Sequence, residues 1–504
     1  LTLRIIIIIE EMQLIMILKY SEVKMSIFQS RRLGVGSSLF VAVALTAFGS
    51  VNIVKAGGHG DHVYGPYPIT LKGYSGDKTN SVSYSGQVGR QLLHNSLKKA
   101  VSSGASLEVL NGYFNGSDGV LSLLDPVSSD SFKVDVTDIN TVSKTNLSGK
   151  AYKGVIAGWP GNMTGKEMLQ SMIEMAAETG GYDAEHGYDY TQLISKFTMG
   201  GVFYHQACDN YLDEKMNADN KPNNKPYKDG AYYTGKEHSW DEAFGYWGAA
   251  AHGASMTPKQ NYDIAKKKNM RDADANGDGV VNLKSEMNYA HAYYASGFDK
   301  GGKTEYYNTI TQAFIDGRQV IAGANGEALT DAQRAEIKGH ARVICSNWEK
   351  VIAEAVFKYA GSVYSNIEAV KATMGGNMWT VNGSAAKTEH EAAVKKYAKY
   401  WGELAGFSLS LHTSGLNLGE IGVKMDRLVG MGPVMPDGTQ VNGMDAGSYS
   451  VATGKSMDSF AVHMLKLQKL MVDEFGVVAM NNDKLSGISN LTEILGSSTG
   501  AEND

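Results

Sequence analysis

One seven-residue pattern occurs twice in this chain. Trp240-Asp241-Glu242-Ala243-Phe244-Gly245-Tyr246 and Trp401-Gly402-Glu403-Leu404-Ala405-Gly406-Phe407 share the form Trp-x-Glu-x-x-Gly-aromatic. An echo precedes each copy at nearly the same offset, Val202-Phe203-Tyr204 in the first half and Val356-Phe357-Lys358 in the second. Both copies sit in segments with helical spacing of apolar residues, so the pattern predicts a duplicated helical unit. The expected fold is all-α: a duplicated antiparallel helical bundle with long loops. Facing repeats place functional side chains at the seam between them.

The remaining periodicity agrees with a helical chain. Helices are expected over 87–101, 166–178, 190–211, 238–252, 284–296, 305–322, 331–359, 390–411 and 456–475. The 190–211 segment is apolar on most faces and should lie centrally. Residues 106–157, 213–234 and 412–455 read as loops, and short strands are expected near 69–71 and 81–84. Only 9 Pro stand against 58 Gly, which suits long helices joined by glycine-rich connections.

The N-terminus reads as processing signals rather than fold. Residues 1–24 look like sequence upstream of a start at Met25, and 25–56 look like a signal peptide. Arg31-Arg32 leads into an apolar stretch, and Val54-Lys55-Ala56 supplies small residues at a cleavage site. The expectation is an exported protein, periplasmic or extracellular, with no transmembrane helix in the mature chain. Removing that segment takes three further positive charges from a chain of net charge −6, which argues against a nucleic-acid partner and favours cations. Beyond it, an extended arm is expected over 57–85, a first helical repeat over 86–260, a calcium-loop insertion over 261–300, a second repeat over 301–480 and a polar tail over 481–504. Cys208 and Cys345, one per half, are compatible with a disulfide in an oxidising compartment or with two buried thiols.

The most specific motif is Asp274-Ala275-Asn276-Gly277-Asp278-Gly279-Val280-Val281-Asn282. Oxygen donors fall at loop positions 1, 3, 5 and 9, with the Val280 carbonyl at 7 and Gly279 at the sharp turn. Ser285 stands where a bidentate acid is usual and Glu286 follows one residue late, while Asp272 offers a further carboxylate. The segment resembles a single calcium loop of the EF-hand or dockerin kind, so a structural Ca²⁺ is expected there. An empty Asx-rich turn is the alternative.

The first Trp-x-Glu copy offers a second metal candidate. Glu237, His238, Asp241 and Glu242 lie at helical i, i+3 and i+4 spacing, and an imidazole with carboxylates suits iron, copper or zinc. Glu403 joins them if the repeats meet symmetrically. The alternative is that the carboxylates only cap the helix. Other histidines are weaker candidates: His59-Gly60-Asp61-His62 as an N-terminal clamp, and His390-Glu391, which lacks the second histidine of a zinc peptidase because Val394 stands there.

Glu237-His238-Ser239-Trp240-Asp241-Glu242-Ala243-Phe244-Gly245-Tyr246 resembles the signature of an exported bacterial family of unknown function. Ser83-Tyr84-Ser85-Gly86-Gln87, Met199-Gly200-Gly201-Val202-Phe203-Tyr204 and Asn347-Trp348-Glu349-Lys350-Val351 extend the resemblance. That family is distantly similar in plan to imelysins, duplicated helical bundles linked to periplasmic iron acquisition. Their Gly-x-His-x-x-Glu motif is approximated here by Gly235, His238 and Asp241, with one extra residue and a shorter acid. The first reading is an exported divalent-metal-binding protein serving iron or another metal, for which no hydrolytic or redox reaction is needed, with metal ions and a cell-surface or periplasmic protein as partners. A secreted scaffold or adhesion module holding only calcium is the alternative, and a metallopeptidase the weakest one.

Overall fold

A computed structural model describes residues 62–217, 220–374, 384–413, 418–445 and 447–497. The expected upstream segment, the signal peptide, His59 and Asp61 lie outside the described residues. The helices are α1 (Ser85–Ser102), α2 (Leu107–Asn115), α3 (Gly165–Thr179), α4 (Tyr190–Thr198), α5 (Gly235–Trp247), α6 (Pro258–Ala265), α7 (Met270–Ala273) and α8 (Ala290–Asp299). They continue with α9 (Tyr306–Gly323), α10 (Asp331–Thr373), α11 (Ser384–Leu411), α12 (Glu420–Val429), α13 (Met457–Phe475) and α14 (Leu491–Ser497). Two antiparallel two-stranded ribbons complete the described structure: β1 (Tyr182–Asp183) with β2 (Tyr188–Asp189), and β3 (Gln440–Asp445) with β4 (Ser448–Ala452). The chain is mostly helical.

The 43-residue α10 is the spine, with α9, α11 and α13 packed along it. Its start is fixed by a capping box between Thr330 and Gln333. Against this group lies α4, which touches both α11 and α1, while α5 packs on α1 and α9. Beyond Thr198 the helical path of α4 continues to Tyr211 in wider π turns, Met199–Tyr204 and Gln206–Tyr211. The widening has a local cause: the Gly201 carbonyl accepts the Tyr152 N–H at 2.8 Å, and Gly200 lets Ser410 of α11 approach where a Cβ would clash.

Glycines of the repeated pattern do similar work. A Cβ on Gly245 would sit 2.7 Å from Gln87 Cβ on α1, and one on Gly406 would sit 2.6 Å from Lys196 Cβ on α4. Each copy therefore brings its helix into close contact with another. Cys208 and Cys345 form a disulfide, tying the π turns to α10. Among the described residues no helix is long and apolar enough to cross a membrane.

Several local expectations differ from the structure. The 238–252 helix begins at Gly235 and ends at Trp247, where Gly248 takes a left-handed φ of +78°. The 284–296 helix starts only at Ala290, because residues 282–288 turn back to bond with neighbouring loops. Leu107–Asn115 and Glu420–Val429 are helices inside stretches read as loops, and 440–452 forms a hairpin. The stretches near 69–71 and 81–84 are irregular instead of strands, and one backbone bond, Ser81 N–H to the Tyr67 carbonyl, joins their neighbourhood with two side-chain bonds beside it.

Candidate functional site

Helix α5 carries four of the five residues expected to bind a transition metal, and two of them face inward. Thr234 caps the helix: its hydroxyl accepts the Glu237 N–H at 3.2 Å, and Glu237 Oε2 accepts the Thr234 N–H at 2.8 Å. Glu237 Oε1 also accepts from Thr70 Oγ1 at 3.0 Å and from Arg318 Nη1 at 3.2 Å. One turn on, Asp241 accepts from Tyr64 at 2.6 Å, from the Arg318 Nε at 2.8 Å and from the Ser83 N–H at 3.0 Å. Arg318 Nη2 donates to Ser81 Oγ at 2.7 Å, and the guanidinium lies 4.7 Å from the centre of the Tyr67 ring.

The Arg318, Glu237 and Asp241 side chains are fully buried. The guanidinium thus stands between two carboxylates, in the place that the expectation gave to a metal cation. Burial, the largest influence on Asp241, pushes its pKa up to about 6, while Arg318, Tyr64 and Ser83 pull it down. It remains a carboxylate at neutral pH. Five partners of this network, Tyr64, Tyr67, Thr70, Ser81 and Ser83, come from the segment before α1. The expected arm is therefore a strap over α5.

His238 and Glu242 lie on another side of the same helix. The imidazole stacks on Tyr233 at 4.2 Å between ring centres and meets Tyr227 edge-on at 4.4 Å. Its Nε2 is 3.8 Å from Glu242 Oε1, and the Ser83 backbone also meets the ring. Burial lowers its pKa to about 4, although Glu242 opposes the shift. Glu242 accepts from Gln87 at 2.9 Å, from Tyr211 at 3.2 Å and from Tyr227 at 3.3 Å, with Lys215 Nζ 3.9 Å away. Burial also brings Lys215 down to about 8.

Glu403 stands in a separate cluster. It is 7% exposed, and its charge acts on Lys196, Lys358, Tyr294 and Tyr359. The two glutamates of the repeated pattern thus have similar company, tyrosines and lysines, on different elements. The structure brings His238 to Glu242 and Glu237 to Asp241, but gives Glu403 other neighbours. Arg318 was the residue missed. A signal for it exists, because it occupies the apolar stripe of α9 beside Phe314, Ile315 and Ile321.

The calcium-like loop is curled by its own side chains. Asp274 accepts from the N–H groups of Gly277, Asp278 and Gly279, and Gly277 and Gly279 have φ of +74° and +85°. Asn276 Oδ1 accepts from Asp278 N–H and Asp278 Oδ1 from Val280 N–H. Glu286, expected as a ligand, is buried and takes the N–H groups of Ala275, Asn276 and Asn282, so it fastens the loop from behind. Asp272 is held by Asn269 Nδ2 at 2.6 Å. Asn282 Oδ1 accepts the Lys284 N–H, and Val281 pairs with the 133–135 segment. Among the described residues, no three His, Cys, Asp or Glu side chains are gathered so as to hold a metal ion. The loop's remaining donors are Asn side chains and a carbonyl.

Fold and site together define a mostly helical protein with a buried ionic strap and an oxygen-rich surface loop. Residues 137–368 match a family model described as Domain of unknown function (DUF4856). The match includes α5, Arg318, the loop and both cysteines, but neither the strap nor Glu403. No curated protein and no solved structure matches the chain.

Proposed function

We propose that this chain is an exported, non-catalytic helical scaffold that binds one structural Ca²⁺ through Asp274, Asn276, Asp278, the Val280 carbonyl and Asn282. The observation that carries the reading is the donor set itself: every group on the curled loop is an oxygen, on a backbone already turned by Gly277 and Gly279. Ca²⁺ takes six to eight such ligands, and water completes the set where protein oxygens run out. Bound there, the ion would neutralise Asp274 and Asp278 and pin the loop that Val281 joins to residues 133–135.

The disulfide supports export, since such bonds persist in oxidising compartments. Similar settings of Glu242 and Glu403 support the duplicated plan and, at a distance, the likeness to imelysins. The iron, copper or zinc reading has less to stand on, because Arg318 already holds Glu237 and Asp241. His238 and Glu242 alone fall short of a transition-metal ligand set. A metallopeptidase has no complete zinc motif.

The test is thermal melting of chelator-treated protein with and without Ca²⁺. Wild type should gain several degrees at a Ca²⁺ concentration about a hundred times Kd, a stabilisation of about 2.7 kcal/mol. Asp278→Ala should abolish the gain. Equal melting temperatures for wild type in Ca²⁺ and in chelator would sink the reading.

A further inference from the structure

A cavity of about 340 Å³ opens between α1, α4, α8 and α11, away from the calcium loop and from α5. Five lysines line it, Lys98, Lys196, Lys266, Lys267 and Lys399, against two acids, Asp125 and Glu403. Lys267 is already paired with Asp125. An acidic protein thus carries a locally basic cavity, with Lys196 buried within it and Lys98 half-buried.

Lys196 is the informative residue. It is 2% exposed, and Glu403 is the carboxylate whose charge acts on it. Lys98 is its hydrogen-bonding neighbour, Glu403 acts on it from further off, and its nearest aromatic face is Tyr294, 5.4 Å from Nζ to ring centre. Burial and Lys98 together lower its pKa well below the ordinary lysine value. A buried ammonium set beside another is unfavourable unless an anion joins them. Further polar atoms in the lining also have no partner among the described residues: Gln192 Oε1 and Glu403 Oε2, both on residues less than a tenth exposed. Both are acceptors and call for donors.

We propose that this chamber binds a small phosphate monoester of a polyol, its phosphate on Lys98 and Lys196 and its hydroxyls donating to Gln192 and Glu403. The phosphate takes charge-assisted hydrogen bonds from two ammonium groups. Lys266 and Lys399, both exposed, stand at the rim and draw anions in. Tyr293 and Tyr294 supply apolar wall for the carbon skeleton. The site is independent of the calcium reading.

Calorimetric titration of the purified protein with glucose 6-phosphate, in a buffer free of competing anions, tests the assignment. Wild type should bind with Kd of about 1 mM or tighter, and should melt at higher temperature with the ligand present. Glucose should not bind. Lys98→Met should weaken binding at least tenfold and Lys196→Met should abolish it, while Lys284→Met, on the distant loop, should bind as wild type. Lys196→Met replaces a buried amine by an apolar side chain of similar length, so its melting temperature should equal or exceed that of wild type. No heat and no thermal shift at about ten times that concentration would overturn the proposal. So would undiminished binding by both lysine variants, and citrate binding as tightly as the ester would overturn the phosphate assignment.

Discussion

Arg318 decides how the most distinctive sequence motif is used. Two carboxylates one turn apart read as ligands until a guanidinium from another helix is seen between them. Removing one partner of such a buried group leaves uncompensated charge, so Arg318→Met should cost about 3–5 kcal/mol in urea denaturation. Adding Glu237→Gln and Asp241→Asn should recover much of the loss. A near-neutral Arg318→Met would mean the network contributes little.

A second residue-scale consequence concerns pH. Burial lowers His238 to about 4, and His94 and His291 to about 3, below the ordinary value of 6.5. Below pH 6.5 the unfolded chain takes up protons that the folded chain refuses. The histidines' contribution to stability is therefore complete above pH 6.5 and falls as pH drops toward 4 and 3. Each histidine contributes up to about 1.4 kcal/mol per pH unit in that window. His291, whose two ring nitrogens have no partner among the described residues, is the cleanest probe. His291→Phe should flatten the fall in melting temperature between pH 7 and pH 5, and an unchanged slope would refute the assignment.

At the scale of elements, Gly245 and Gly406 test whether the repeated pattern serves close helix packing. An added methyl meets Gln87 or Lys196 at under 3 Å, so either Gly→Ala change should cost about 1–3 kcal/mol through overpacking. Gly323→Ala on α9, where a Cβ meets nothing within 4 Å, is the control and should not destabilise. Helices with strong periodicity, such as 87–101 and 456–475, were legible because one face must be buried. Leu107–Asn115 was not, because nine residues with an internal Asn-Gly pair give too little pattern. The true start of α8 was hidden for another reason: Glu286 and Asn288 are spent on bonds to Ala275 and Asn261 that no local rule reveals. The site was legible in parts. The spacing of Glu237 to Glu242 placed those residues on one helix, but their separation into two clusters depends on the strap and on α9, both remote in sequence.

Across the whole molecule, the disulfide closes a long stretch of chain, with 137 residues separating its cysteines. Loop-entropy arguments give such a crosslink about 3–5 kcal/mol. Reduction, or Cys208→Ala with Cys345→Ala, should lower the melting temperature without changing helical content. Elemental analysis of the full chain, purified without chelator, decides whether the loop holds calcium. About one calcium per chain is expected, lost in Asp278→Ala, with iron, copper and zinc at trace levels. Stoichiometric transition metal that disappears in His238→Ala, with calcium at background, would contradict that expectation.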